Sequence, residues 1–100
     1  MKEKELSILK RMIKLSSTDQ QFFLQNEASD RFIIFLVECY LNVLRGKVPI
    51  NKKQITKYEK TFRIILDPKT SHTERRKIFA QNISITINIA ISCANYLRLL

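Results

Sequence analysis

SDRFIIFLVECYLNVLR, residues 29–45, is apolar almost all the way round when wound into a helix. Phe32, Ile33, Phe35, Leu36, Val37, Cys39, Tyr40, Leu41, Val43 and Leu44 leave no wide polar face, so the helix has to be enclosed by others. Ser29 stands where an N-cap is wanted, and Gly46 where a left-handed residue closes a helix. Pro49 cannot continue it. The stretch predicts the central helix of an all-α domain.

Upstream, residues 3–15 place Leu6, Leu9 and Ile13 on one helical face, with Ile8, Met12 and Leu15 beside it. Ser16, Ser17, Thr18 and Asp19 supply both a break and an N-cap for a short helix that carries Phe22, Phe23 and Leu24 and ends near Asn26. Downstream, Asn51 and Gln54 resemble a capping box, and the helix they open puts Ile55, Tyr58, Phe62, Ile65 and Leu66 on one stripe before Asp67 and Pro68 stop it. Ser71 and Glu74 form a second box. The helix that follows carries Arg75, Arg76 and Lys77 in its first turns, then Ile78 and Phe79.

The C-terminal stretch reads two ways. Ile83, Ile85, Ile87, Ile89 and Ile91 alternate with Ser84, Thr86, Asn88 and Ala90, which is the period of a strand. No other part of the chain reads as a strand, and a lone one would be an exposed edge, so a buried C-terminal helix is expected. Residues 78–97 also form an uncharged window of twenty residues, long enough to span a bilayer. Gln81, Asn82, Asn88 and Asn95 weigh against that, because each amide needs a partner in hydrocarbon. With 100 residues, 45% of them hydrophobic, one Gly and two Pro, the chain has material for one modest core and few turns. The expectation is a single domain over residues 1–100, a compact bundle of five or six short helices. Within it, residues 45–77 make a basic helical hairpin and residues 78–100 an apolar C-terminal segment.

The formal net charge of +9 is concentrated: residues 45–77 hold eleven Lys or Arg against three acids, so +8 of it is local. Lys and Arg on successive helical turns neutralise phosphates and release condensed counterions, a term independent of base sequence. The alternative reading is a solvated face that keeps the hairpin soluble. No zinc-finger, RNP or helix-turn-helix signature points to base readout.

Catalytic patterns are missing. His72 stands among hydroxyl residues, with no second His or Cys nearby for a metal or triad, and reads as a surface residue. Cys39 and Cys93 have no CxxC spacing and read as reduced core thiols. The acids are scattered, and a single Gly excludes a Gly-rich phosphate loop. Tyr40, Tyr58 and Tyr96 have the faces to stack on bases, but their helical spacing among aliphatics reads as core or half-buried. The charged start, Lys2 to Glu5, lacks an apolar secretory region, and the expected setting is intracellular.

The run CYLNVLRGKVPI at residues 39–50, continuing through KYEKTFR at 57–63 to KTS at 69–71 and RRK at 75–77, resembles small basic proteins of Polinton or Maverick-type and adintovirus-like DNA elements of invertebrates. The likeness covers about residues 30–80. It implies a viral or virus-derived protein of nucleus or virion, laid out like the minor core peptides of adenovirus-like particles, with a basic segment and then an apolar tail. The chain departs from that pattern at Glu59, Asp67 and Glu74, which dilute the basic stretch. Its tail alternates isoleucines where the pattern has Gly, Leu and Pro.

The resulting expectation is a non-enzymatic, sequence-nonspecific nucleic-acid-binding protein, with neither cofactor nor metal, using Lys47, Lys52, Lys53, Lys57, Lys60, Arg63, Arg75, Arg76 and Lys77. The alternative is a helical protein-interaction module that forms homo-oligomers or binds a host protein through residues 83–100.

Overall fold

Short polar residues set where the helices begin. Ser16 Oγ accepts Asp19 N–H at 3.2 Å, Ser29 Oγ accepts Phe32 N–H at 3.2 Å, and Ser71 Oγ accepts Glu74 N–H at 3.1 Å. Each satisfies one of the orphan donors of a helix N-terminus. Asn51 Oδ1 accepts Lys53 N–H at 2.8 Å in the same role. The structure is a computed structural model that describes residues 3–96. Its helices are α1 (Glu3–Ile13), α2 (Ser17–Asn26), α3 (Asp30–Leu44), α4 (Lys52–Lys57), α5 (Glu59–Leu66), α6 (His72–Gln81) and α7 (Ile83–Tyr96), with no strand among the described residues.

The described residues are therefore all-α and compact, with principal extents of 29 × 29 × 25 Å, but they form seven helices where five or six are expected. The extra one comes from residues 51–66, which break at Tyr58 (φ −105°, ψ 23°) into α4 and α5. Phe62 and Ile65 pin α5 into the core, whereas α4 has no buried residue to hold it in line.

The C-terminus of α3 closes as a Schellman turn. Lys47 N–H donates to Asn42 O at 2.9 Å and Gly46 N–H to Val43 O at 3.1 Å, with Gly46 at φ 75°. At the centre, α3 buries Phe32, Ile33, Phe35, Leu36, Cys39, Tyr40 and Val43. At about 1.5–3 kcal/mol for each fully buried large side chain, this one helix carries on the order of 10 kcal/mol. That matches the whole net stability of an ordinary domain, so α3 cannot be peeled off separately.

α7 is the principal neighbour of α3 and a helix throughout. Ile83, Ile85, Thr86, Ile89, Ala90, Cys93 and Ala94 are buried, and Ser84, Asn88 and Asn95 are exposed. Wound at 3.6 residues per turn, those three polar positions fall on one stripe, which the half-buried Ile91 shares, while the buried Ile83, Ile85 and Ile89 lie on the other sides. No described helix is long and apolar enough to cross a membrane. Residues 97–100, the end of the expected apolar segment, lie outside the described residues.

A polar link crosses the α3–α7 seam. Tyr40 and Thr86 Oγ1 meet at 2.8 Å, and Thr86 donates on to Phe79 O at 3.4 Å, which makes the Tyr40 hydroxyl the donor to Thr86. Burial pushes the Tyr40 hydroxyl well above its usual range, only partly offset by the Thr86 bond. The Tyr40 ring lies 4.9 Å from Phe62 and 5.4 Å from Phe79, which joins α5 and α6 to the same centre. Cys93 Sγ donates to Cys39 O at 3.3 Å nearby.

Two expectations about burial are corrected. α1 turns Leu6, Leu9 and Met12 inward, while Ile13 is 38% exposed. The reason is the tight corner after Met12: Lys14 and Leu15 N–H bond back to Arg11 and Met12 O, and Gln20 Nε2 donates to Met12 O at 3.0 Å. Tyr96, the last residue of α7, is 57% exposed; only Tyr40 and Tyr58 are buried or half-buried. Glu5 is 7% exposed and its Oε2 has no hydrogen-bond partner, a net cost to the fold.

Tyr40→Phe is expected to cost about 1 kcal/mol and Thr86→Val about 1–3 kcal/mol, because the second leaves a buried hydroxyl without an acceptor. The double variant should lose less than the sum in urea unfolding, and strict additivity would show the bond to be without weight. Gly46→Ala meets no atom within 4 Å of the added Cβ, so its cost should be the left-handed backbone alone, about 1–2 kcal/mol in the same assay.

Candidate nucleic-acid interface

The nine cations expected to meet phosphate divide into two groups. Lys47 is exposed in the Schellman turn, directly after the left-handed Gly46. Lys52, Lys53 and Lys57 are exposed on α4, and Lys60 and Arg63 are exposed on α5, whose apolar Phe62 and Ile65 face the core. Lys77 is exposed on α6. These seven side chains reach solvent, as do Arg45 and Lys69, which were not among the nine.

Two of the seven have a local partner. Arg63 Nη2 and Glu59 Oε1 are 2.9 Å apart at i,i+4 spacing, with side chains 73% and 66% exposed. Such an exposed pair is worth little and gives way to a stronger anion. Lys57 Nζ lies 5.4 Å from the Tyr58 ring centroid, a cation–π contact that leaves the ammonium accessible.

Arg75 and Arg76 serve a different purpose. Arg75 Nε donates to Ile65 O and Nη2 to Asp67 O, both at 2.9 Å, so its guanidinium closes the C-terminus of α5. His72 Nδ1 lies 3.4 Å from Arg75 Nη1 and is half-buried, not fully at the surface. Arg76 Nη1 donates to Ala28 O and to Leu24 O, and Nη2 to Asp30 Oδ1 at 2.8 Å. With 18% of its side chain exposed, Arg76 fills the junction between the end of α2 and the start of α3. Both arginines have their donors committed to carbonyl and carboxylate oxygens.

The basic hairpin is thus looser than a pair of helices facing each other. Arg75 ties α5 to α6, but α6 lies chiefly against α2, with Arg76 as the fastener. The sequence does not distinguish these roles, since RRK reads as three equal cations. The detectable signal is position: Arg76 lies about one turn past the Ser71 cap and three and four residues before the buried Phe79 and Ala80, so its stem shares their inward face.

Among the described residues, no three His, Cys, Asp or Glu side chains converge in a way that could hold a metal ion. No protein-family model, curated protein or solved structure matches the chain.

Arg76→Met should lower unfolding free energy by about 1–3 kcal/mol, since it removes the donor of the Ala28 and Leu24 carbonyls at the α2–α3 junction, while the exposed Asp30 carboxylate is taken over by water. Lys77→Met should stay within about 0.5 kcal/mol of the parent. Equal effects of the two in chemical denaturation would contradict the division of roles.

Proposed function

We propose that the chain is a non-enzymatic protein that holds nucleic-acid backbones without sequence preference, and that it is of viral or virus-derived origin and associated with a genome. The binding residues are Lys47, Lys52, Lys53, Lys57, Lys60, Arg63 and Lys77, while Arg75 and Arg76 build the scaffold that presents them. The observation that carries this reading is the concentration of +8 of the +9 charge in residues 45–77, with seven of the nine expected cations exposed. Flexible lysines on short helices suit phosphates at varied spacing better than a fixed pattern of base edges. The resemblance over residues 30–80 supports the viral origin.

The protein-interaction reading has less to draw on. Its motive is the apolar content of residues 83–100, and over Ile83–Tyr96 α7 places Ile83, Ile85 and Ile89 in the core of this one chain.

Each phosphate contact on duplex DNA contributes about 0.9 to the slope of log affinity against log salt, so seven contacts predict a slope near −6. The measurement is binding to random duplex and single strand between about 50 and 200 mM salt. Replacing Lys52, Lys53 and Lys57 by Ala should flatten the slope by about 2.7 units, uniformly across sequences. Salt-insensitive binding, or an unchanged slope in that variant, overturns the proposal.

A further inference from the structure

The corner between α1 and α2 leaves an open hollow of about 210 Å³, lined by Ile8, Arg11, Met12, Leu15 and Phe23. Leu15 is 42% exposed there, and Phe22, next to Phe23 on α2, is 57% exposed. The other phenylalanines, Phe23, Phe32, Phe35, Phe62 and Phe79, are buried or half-buried. One ring therefore stands in solvent on the same surface as an apolar hollow, and that surface marks an interaction site. Pockets that enclose a drug-sized ligand run from roughly 300 to 1,000 Å³, so this smaller, open hollow suits a bulky side chain.

Charge around the hollow is two-sided. Lys4, Ile8, Arg11 and Leu15 follow one another at helical spacing, so the α1 side carries two cations. On the α2 side, Asp19 and Glu27 stand one turn before and one turn after Phe23. All four charged residues are exposed, and none takes part in an ion pair among the described residues. An occupant of one sign would meet attraction along one side and repulsion along the other. A second copy meets neither fault. Turned about a two-fold axis that runs between the two helices, it sets its acids over the first copy's cations and its cations over the first copy's acids.

The net charge of +9 does not oppose this contact. Residues 3–31 hold five cations and five acids, so the excess lies elsewhere in the chain. At physiological salt, charges separated by more than about 8 Å are largely screened.

We infer that two copies of this chain associate through the α1–α2 corner as an isologous dimer, Phe22 of each copy seating in the hollow of the other, and Lys4 and Arg11 facing the other copy's Asp19 and Glu27. The apolar contact supplies affinity and the two-sided charge fixes the orientation. With few large side chains in the patch, the association is weak and reversible. The surface is built from residues outside 45–77, so the inference stands independently of the proposed nucleic-acid interface.

The test is sedimentation equilibrium of the full chain without nucleic acid, at concentrations up to about 500 μM. A monomer–dimer equilibrium is expected. Phe22→Ser and Leu15→Ser, both at exposed positions, should each weaken it at least about tenfold, while replacing Lys52, Lys53 and Lys57 by Ala should leave it within about twofold. Charge reversal gives the sharper reading. One variant carries Lys4→Glu and Arg11→Glu, another Asp19→Lys and Glu27→Lys. Each alone should associate more weakly than the parent, because like charges then face one another. An equimolar mixture of the two should recover the parent's association to within about threefold, a complementation that ion pairing inside one chain cannot produce. Circular dichroism and urea unfolding establish that each variant is folded, and the serine variants carry the test if a charge reversal is not.

Four results overturn the inference. One is a chain that stays monomeric throughout. Another is a dimer indifferent to Phe22→Ser and to both charge reversals, which places the contact elsewhere on the molecule. Failure of the mixture of folded variants to recover removes the two-fold arrangement. A monomeric chain that binds phosphatidylcholine vesicles, with loss in Phe22→Ser, makes the occupant a lipid surface.

Discussion

Tyr40 meets Thr86 across the seam between α3 and α7, the two helices that bury the most residues, and the arrangement of the domain follows from having to meet that one hydroxyl. A buried phenol without a partner would cost the fold more than the bond returns, so Thr86 has to stand opposite it, which fixes the rotation of α7 about its axis and its register along α3. Once α7 is set, the Thr86 hydroxyl donates its hydrogen bond to Phe79 O, so the end of α6 is placed as well. The faces of the Tyr40 ring are then available to Phe62 and Phe79, which brings in α5. A set of short helices that greasy contacts alone would leave free to slide is thereby given a single register.

Much of this was legible residue by residue. Ser16, Ser29 and Ser71 cap because a short hydroxyl before an apolar run has an immediate local use, and Gly46 adopts its left-handed turn because no other residue there does so without strain. The apolar circumference of residues 29–45 required an enclosed helix, and α3 is one. What the pattern hid was geometry set at a distance. The isoleucines of 83–91 alternate like a strand, yet Ser84, Asn88 and Asn95 keep a helical stripe that the period-two reading passes over. Ile13 looked inward until the corner after Met12 turned it out. The break at Tyr58 has no Gly or Pro to announce it, because α4 sets only the half-buried Ile55 against the core whereas Phe62 and Ile65 hold α5 in it.

The site was legible as a charge and illegible as a set of roles. Counting cations located the segment, but a guanidinium that caps a helix and an ammonium that waits in solvent look alike in a sequence. Arginine's rigid fork suits it to gather several carbonyls at once, and both arginines of the RRK run are used that way. The surface cations on α4 and α5 are mostly lysines, whose strongly hydrated heads stay in water while their stems lie along the protein. Arg45 and Arg63 reach solvent all the same, so helix face, more than residue type, separates scaffold from surface.

The absence of any buried residue on α4 has a consequence for how the domain breathes. Six residues are too few to hold a helix by themselves, and Lys52 and Lys53 in the first turn oppose the helix dipole while Lys53 and Lys57 repel at i,i+4 spacing. Opening α4 therefore exposes almost no core, and its amides exchange with solvent through local openings far cheaper than global unfolding. Dissolved salt then acts on this segment in two opposed senses. It screens the mutual repulsion of the lysines and steadies the helix, and it competes with those same lysines for any polyanion they hold. The conditions under which α4 is best ordered are those under which it grips least.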